Sequence, residues 1–365
     1  MNTRERYLQT MNFGHPDRIF FLPQWFWGST LERWHNEGLP RDVHVDEYFG
    51  FDRYQTIPVN LGLLPAFEPE IYYEDAEYSI HRRADGCIVK EFERRPEMSM
   101  PQWLEFPVKG RESWERDLKP RLNPHSPARY PLWWDDYVRT VRDRDYPLGI
   151  MAGSYYGWPR NWIGMENLSY LMYDDPALVH DICNHVADFI IETIQRAVVD
   201  IKPDFALFWE DMAMKTGPLC SPAQFREFML PCYQRVCEFL DTHGVTVRLV
   251  DSDGNNDSII PLFMEGGVTG IYPQEVAAET DTIALRKQLG TRFTFIGGID
   301  KRVLARGKAE IEREVLSKVP WLILQGGYTV FVDHAVPPDV SLENFTFYWD
   351  LVKAVASNPE QYVNT

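Results

Sequence analysis

Two carboxylates one residue apart, Asp251 and Asp253, close the stretch RLVDSDGN at 248–255. They follow VTVRLV, an apolar run of strand length. They therefore stand at the edge of a core, where an unpaired carboxylate is costly. Residues flanking a single position of an extended chain point to the same side. Two like charges brought together in this way need a cation or a shared proton. Two chemistries meet that need. One is a divalent metal held by both aspartates and an imidazole. The other is an acid site in which one aspartate keeps its proton and delivers it to a substrate. A calcium loop is excluded, because counting from Asp251 puts Gly254 fourth and Leu262 twelfth, where an EF-hand needs Gly at the sixth position and Glu at the twelfth.

Other apolar runs end in the same way. DFALFW is followed by Glu210 and Asp211, VTGIY by Gln274 and Glu275, RFTFIGG by Asp300, and YTVFV by Asp333 and His334. The metal reading takes Asp251, Asp253 and His334 as ligands, assisted by Glu210 or Asp333. Hard oxygens with one imidazole suit zinc first, with manganese or iron as alternatives. No HExxH accompanies them. The acid–base reading gives Glu210, Asp211 and Asp251 the catalytic roles. Asp300 ahead of KRVLARG, and Asp257 at the start of DSIIPLFMEGG, read as helix caps, and Glu275 reads as a supporting residue. Aromatic residues form a second set: Trp25 and Trp27 after one run, Tyr155 and Trp158 after another, Trp209 at the end of a third. Such residues more often fill cores or interfaces. Gathered at strand ends they would wall a pocket for a small apolar or aromatic substrate.

The elements that must position these residues are regular after Tyr146. Strands LGIMAG, DFALFW, VTVRLV, VTGIY, RFTFIGG and YTVFV alternate with helices over about 176–200, 221–243, 257–266, 279–290, 300–318 and 341–355. Asp175-Pro176, Ser221-Pro222 and Ser341 are helix-entry signals. Repeated strand–helix units predict a parallel sheet. With Phe20–Leu22 as an N-terminal strand, and one further strand not visible in the sequence, they make a (β/α)8 TIM barrel over 1–365, whose chemistry gathers at the C-terminal ends of its strands. A doubly wound sheet would carry GxGxxG or GxxxxGK[ST], and neither occurs. Residues 3–13 read as a helix. Over 57–106, alternating apolar and polar residues around Asp85-Gly86 predict an inserted antiparallel β-ribbon.

The formal net charge of −17 argues against nucleic acid or an anionic membrane as a partner, and against a highly anionic substrate. Five cysteines without CxxC read as reduced thiols, and no run of about 18 apolar residues is present. The expectation is a cytoplasmic protein acting on a small molecule.

The chain resembles the uroporphyrinogen decarboxylase superfamily over nearly its whole length. The segments that carry the resemblance are RERYLQTMNFGHPDRIFFLP, FWEDMAMKTGPLCSPAQFREFMLPCYQRV, FIGGIDKRVLARGKAEIEREV and GGYTVFVDHAVPPDVSLENFTFYWDLVKAV. The resemblance implies a (β/α)8 barrel, commonly a homodimer, with its active site at the C-terminal mouth. It implies one of two activities: cofactor-free decarboxylation of uroporphyrinogen, or zinc-dependent methyl transfer to a cobamide. The arginine motif RQAGR, which meets substrate propionates in true decarboxylases, is replaced here by WFWGS, although Arg18 remains and Asp52 in FGFD matches their essential aspartate approximately. The methyltransferases' HxC zinc motif corresponds to Asp251 and Asp253, and their C-terminal cysteine to Asp333 or His334. The leading expectation is methyl transfer between a small O- or N-methylated compound and a corrinoid. No DxHxxG motif is present, so the corrinoid would ride on a separate protein. Decarboxylation of uroporphyrinogen or of a smaller acid is the alternative. A non-catalytic ligand-binding barrel is a third reading.

Overall fold

The computed structural model describes residues 1–92 and 100–363. Apolar runs without alternation are strands buried on both faces, and here they lie parallel to one another. In chain order the strands are β1 (Gln55–Thr56), β2 (Glu70–Glu74), β3 (Tyr78–Arg82), β4 (Ile88–Phe92), β5 (Gln102–Glu105), β6 (Leu148–Met151), β7 (Phe205–Trp209), β8 (Ala213–Met214), β9 (Gly217–Pro218), β10 (Val247–Asp251), β11 (Gly270–Gln274), β12 (Thr294–Gly297) and β13 (Tyr328–Thr329). A seven-stranded parallel sheet runs β1-β6-β7-β10-β11-β12-β13. The strand that the sequence leaves unplaced is β1. It is two residues long and exposed, so it carries no apolar signature.

The sheet curls. Phe205, Leu207, Val247, Leu249, Tyr272 and Ile296 share one inner cluster with Phe20, Leu22 and Phe331. The alternate residues Ala206, Phe208, Val250, Ile271 and Phe295 pack outward, in the larger core that includes the surrounding helices. The helix Thr3–Met11 lays Tyr7 and Met11 into the inner cluster. Its Arg4 Nε donates to Asp204 just ahead of β7 at 2.7 Å, which places this helix across the N-terminal end of the strands.

Residues 19–27 bond to the chain beside β1 and beside β13. Asp52 N donates to Phe21 O at 2.9 Å on one side. On the other, Gln24 Nε2 donates to Val330 O at 3.2 Å and Val332 N donates to Gln24 Oε1 at 2.8 Å. Phe20–Leu22 is therefore an extended segment rather than the expected ladder strand. The Gln24 side-chain amide makes bonds that strand backbone would otherwise make.

The ribbon is an antiparallel sheet ordered β2-β3-β4-β5. Its strands begin at Glu70, later than the expected 57. Ile57 belongs to the main sheet, donating to Gly149 O at 2.8 Å, and is buried. Asp85-Gly86 makes the predicted turn, with Gly86 at φ +89° and Asp85 Oδ1 accepting from Cys87 N at 2.9 Å. Asp175, Ser221 and Ser341 cap the helices Pro176–Ile201, Pro222–Gln224 and Leu342–Ser357 as expected. Asp300 caps Lys301–Leu304. Asp257 does not cap the helix that follows it. Its helix starts at Ile260, and the carbonyl of Asn256 takes the amides of Ile259 and Ile260 instead. Among the described residues no helix is long and apolar enough to cross a membrane.

Candidate active site

Parallel register sets the depth of each side chain. Asp251 aligns with Trp209 on β7 and with Tyr272 on β11. Val247 and Leu249 face the interior, and side chains alternate along a strand, so Asp251 faces inward one layer above Leu249. Among the described residues no side chain or backbone group donates a hydrogen bond to its carboxylate. Burial, with the negative charges of Asp253 and Asp211, pushes the Asp251 carboxyl well above the ordinary carboxylate range.

Asp253 lies at the rim and meets His334 Nε2 at 3.3 Å. The hydrogen bond to Asp253 raises the His334 pKa, against the effect of burial. Trp25 and Trp27 flank the imidazole, with ring centroids 5.9 and 6.5 Å away. Behind this pair, Glu275 Oε2 accepts from Gly254 N at 2.9 Å and fixes the turn after Asp253. Buried Asp333 accepts from Lys301 N at 3.1 Å and Ala277 N at 3.3 Å. Glu275 and Asp333 thus hold loops, and Lys301 Nζ stands between them at 3.7 and 3.9 Å.

Glu210 is placed differently. Its side chain turns away from the mouth and is fully buried. It accepts from Ser154 Oγ, from the amides of Tyr155, Tyr156 and Gly157, and from Tyr233 OH. It holds the turn that starts the helix Gly157–Ile163. Burial pushes its pKa up, opposed by these donors. Asp211, at φ +47°, binds Arg160 through both its carbonyl and its carboxylate, the latter at 3.0 Å. The Arg160 guanidinium lies 5.5 Å from the Trp209 ring centre.

The structure brings Asp251, Asp253, Asp211, His334, Trp25, Trp27 and Trp209 to one mouth. It does not bring Tyr155, which is buried against Phe208 and Tyr233 in the outer layer. Trp158 lines a separate groove between the ribbon turn and Met151. Asp52 lies ahead of β1, at the opposite end of the sheet, where Arg18 holds it at 2.7 and 2.8 Å. Arg6 and the amide of Phe21 also bind it. As for a metal, Asp253 and His334 stand side by side. Among the described residues, however, no three His, Cys, Asp or Glu side chains are arranged to hold an ion. The Asp251, Asp253 and His334 set as placed does not fit a three-ligand centre.

Below Asp251 is a cavity of about 150 Å³ lined by Tyr7, Tyr54, Tyr272, Leu207, Leu249 and Trp25, among others. Sequence reasoning missed its tyrosines. The inward alternation of VTGIY could have yielded Tyr272. Tyr54 precedes a strand too short to show any pattern.

A family profile described as Uroporphyrinogen decarboxylase (URO-D) matches residues 136–355, more than half of the chain, so the chain belongs to that family. Among solved structures, a methyltransferase from Methanosarcina mazei is similar at 15% identity and TM-score 0.61, covering 97% of this chain and 99% of its own. At that identity the likeness shows the fold alone, an α/β architecture with a curled parallel sheet. A protein assigned as a vitamin-B12-independent methionine synthase from Listeria monocytogenes matches at 9% identity and TM-score 0.29, over 62% of this chain and 69% of its own, too distant to carry an argument. No curated protein matches the chain.

Proposed function

We propose that this member of the uroporphyrinogen decarboxylase family transfers a methyl group from a small O- or N-methylated compound to a corrinoid acceptor, with Asp251 as general acid. The observation that carries the reading is the Asp251 carboxyl itself. It stands one layer above an apolar, ring-walled cavity, and among the described residues no donor or cation bonds to it, a setting that favours the protonated form.

The substrate lies in the cavity with its methylated heteroatom against Asp251. As the carbon–heteroatom bond breaks, its electron pair stays on the heteroatom, which takes the Asp251 proton. Without that proton the leaving group would depart as an anion into an apolar site, at high cost. A corrinoid presented at the mouth by a separate protein would supply the nucleophile that accepts the methyl group, and this chain orients the donor and excludes water. The Asp253–His334 pair at the rim returns a proton to Asp251 after each turnover.

A zinc-assisted version would draw on Asp253 and His334, with Asp251 moving from its place above the cavity to become the third ligand. The placement of the three side chains supports the acid reading instead. Decarboxylation would use the same proton on a carbon. The cations near the mouth speak against an anionic substrate, because Arg160 is taken by Asp211 and Lys301 sits between Glu275 and Asp333. A purely binding role would leave the cavity in use and Asp251 dispensable.

The test is incubation with reduced cobalamin and a panel of methylated phenols, alcohols and amines, following methylation of the corrinoid by its absorbance. Turnover that Asp251→Asn abolishes supports the proposal. Turnover unchanged in that variant, or none with any donor, refutes it.

A further inference from the structure

A tyrosine in the wall of the cavity under Asp251 plays no part in the proposed chemistry. Tyr7, on the N-terminal helix, is fully buried, and among the described residues its hydroxyl has no hydrogen-bond partner. The ring is held in place by Phe20 at 5.0 Å, edge-on, and by Phe205 at 5.1 Å. The hydroxyl is therefore fixed by packing, and Tyr7 lines the cavity. A buried hydroxyl without a partner is costly, and native proteins rarely leave one.

The rest of the wall selects by shape. Tyr54 lies parallel to Phe205, with centroids 4.8 Å apart and planes 15° apart. Trp25 meets Tyr272 edge-on at 6.0 Å. Leu22, Leu207 and Leu249 complete the lining. A volume of about 150 Å³ is that of an apolar protein cavity that takes up one benzene ring. Aromatic walls favour a flat ring through edge and offset-stacked contacts.

We infer that this cavity is an aryl subsite. It takes the ring of a small aromatic compound whose methylated heteroatom points up to Asp251 and whose second polar group, across the ring, hydrogen-bonds the Tyr7 hydroxyl. The substrate class is then a methoxy- or methylamino-arene with a hydroxyl or similar group opposite. The orientation rests on the general-acid role of Asp251 proposed above. Occupancy by a ring, and the bond to Tyr7, do not.

The experiment is calorimetric binding to the full chain of three probes: 4-methoxyphenol, anisole, and cyclohexyl methyl ether, which matches anisole in size without being aromatic. The wild type is compared with Tyr7→Phe, which deletes only the hydroxyl, and with Leu249→Phe, which fills the cavity. Anisole should bind more tightly than the cyclohexyl ether, and 4-methoxyphenol about tenfold more tightly than anisole. Tyr7→Phe should erase that tenfold gain and leave anisole unchanged, and Leu249→Phe should abolish binding of all three. Equal binding of the aromatic and saturated ethers, a tenfold gain that survives Tyr7→Phe, or no binding at all overturns the inference. If Tyr7→Phe does not fold, the order of the three probes on the wild type, together with Leu249→Phe, decides the matter. The two readings fail separately. Rings that bind in this order but are never demethylated would refute methyl transfer alone. Turnover of aliphatic methyl donors without aryl binding would refute the subsite alone.

Discussion

Glu210 and Asp251 stand one on each side of the same strand junction, where Glu210 N donates to the Asp251 carbonyl at 2.8 Å. Both side chains are largely withdrawn from water, and their surroundings are opposite. Five donors converge on Glu210, from one turn and one tyrosine. Among the described residues Asp251 has none, and what acts on it is burial and two other acids. A carboxylate wrapped in donors holds a fold together. One left bare beside an empty, ring-lined space is available for chemistry. Burial alone does not distinguish the two, and the donor inventory does.

The comparison breaks most sharply at Asp251. Asp251→Asn keeps the shape and removes the acid, and should lower kcat/KM for a methylated donor by about 10²–10⁴-fold. The same variant should not destabilise the fold. The native carboxyl has a raised pKa, so its favourable contribution is complete only below the ordinary carboxylate value of about 3.9 and is lost as pH rises through the raised value. Near neutral pH Asn should therefore match or exceed the wild type in thermal melting, and the advantage should vanish in acid.

Glu210→Gln should show the reverse pattern. An amide nitrogen placed among donors leaves several of them unpaired, and stability should fall by about 3 kcal/mol in denaturant unfolding. Any loss of activity should follow the loss of folded protein.

His334→Ala should have a smaller effect, about tenfold in turnover with little change in KM, because it slows proton return rather than substrate binding. Its effect on stability should depend on pH. The His334 pKa is raised by Asp253, so the pair's contribution is fully present below about 6.5 and fades as pH rises through the native value. Both groups are partly exposed, so the change in melting temperature should be slight and weaker in salt. Smallest of all should be the response to zinc. With two donors in place, added zinc should leave melting nearly unchanged, and a large rise would restore the three-ligand reading.

The sequence shows much of the scaffold, because continuous apolar runs and capping residues are local signals. All six strands from LGIMAG to YTVFV, and the caps at Asp175, Ser221, Ser341 and Asp300, rest on such signals. β1 is invisible because two exposed residues, Gln55 and Thr56, have no periodicity to read. Phe20–Leu22 reads as a strand because the side-chain bonding of Gln24 leaves no local trace. For the site, strand ends single out Asp251, Asp253 and His334, and the structure pairs Asp253 with His334 and sets Asp251 within range of the Asp253 charge. They do not reveal that Glu210 turns outward, since that depends on three backbone amides some fifty residues away. Nor do they reveal Tyr7, which reaches the cavity only because the first helix crosses the far end of the sheet.

The most direct test of the central claim is the protonation state of Asp251 in the free protein. Difference infrared spectroscopy of wild type against Asp251→Asn, with carboxyl-labelled aspartate, isolates its C=O stretch. A protonated carboxyl band that persists at pH values where an ordinary aspartate is fully ionised is the predicted result. A carboxylate band already complete near pH 5 would contradict the account, because an ionised Asp251 has no proton to give.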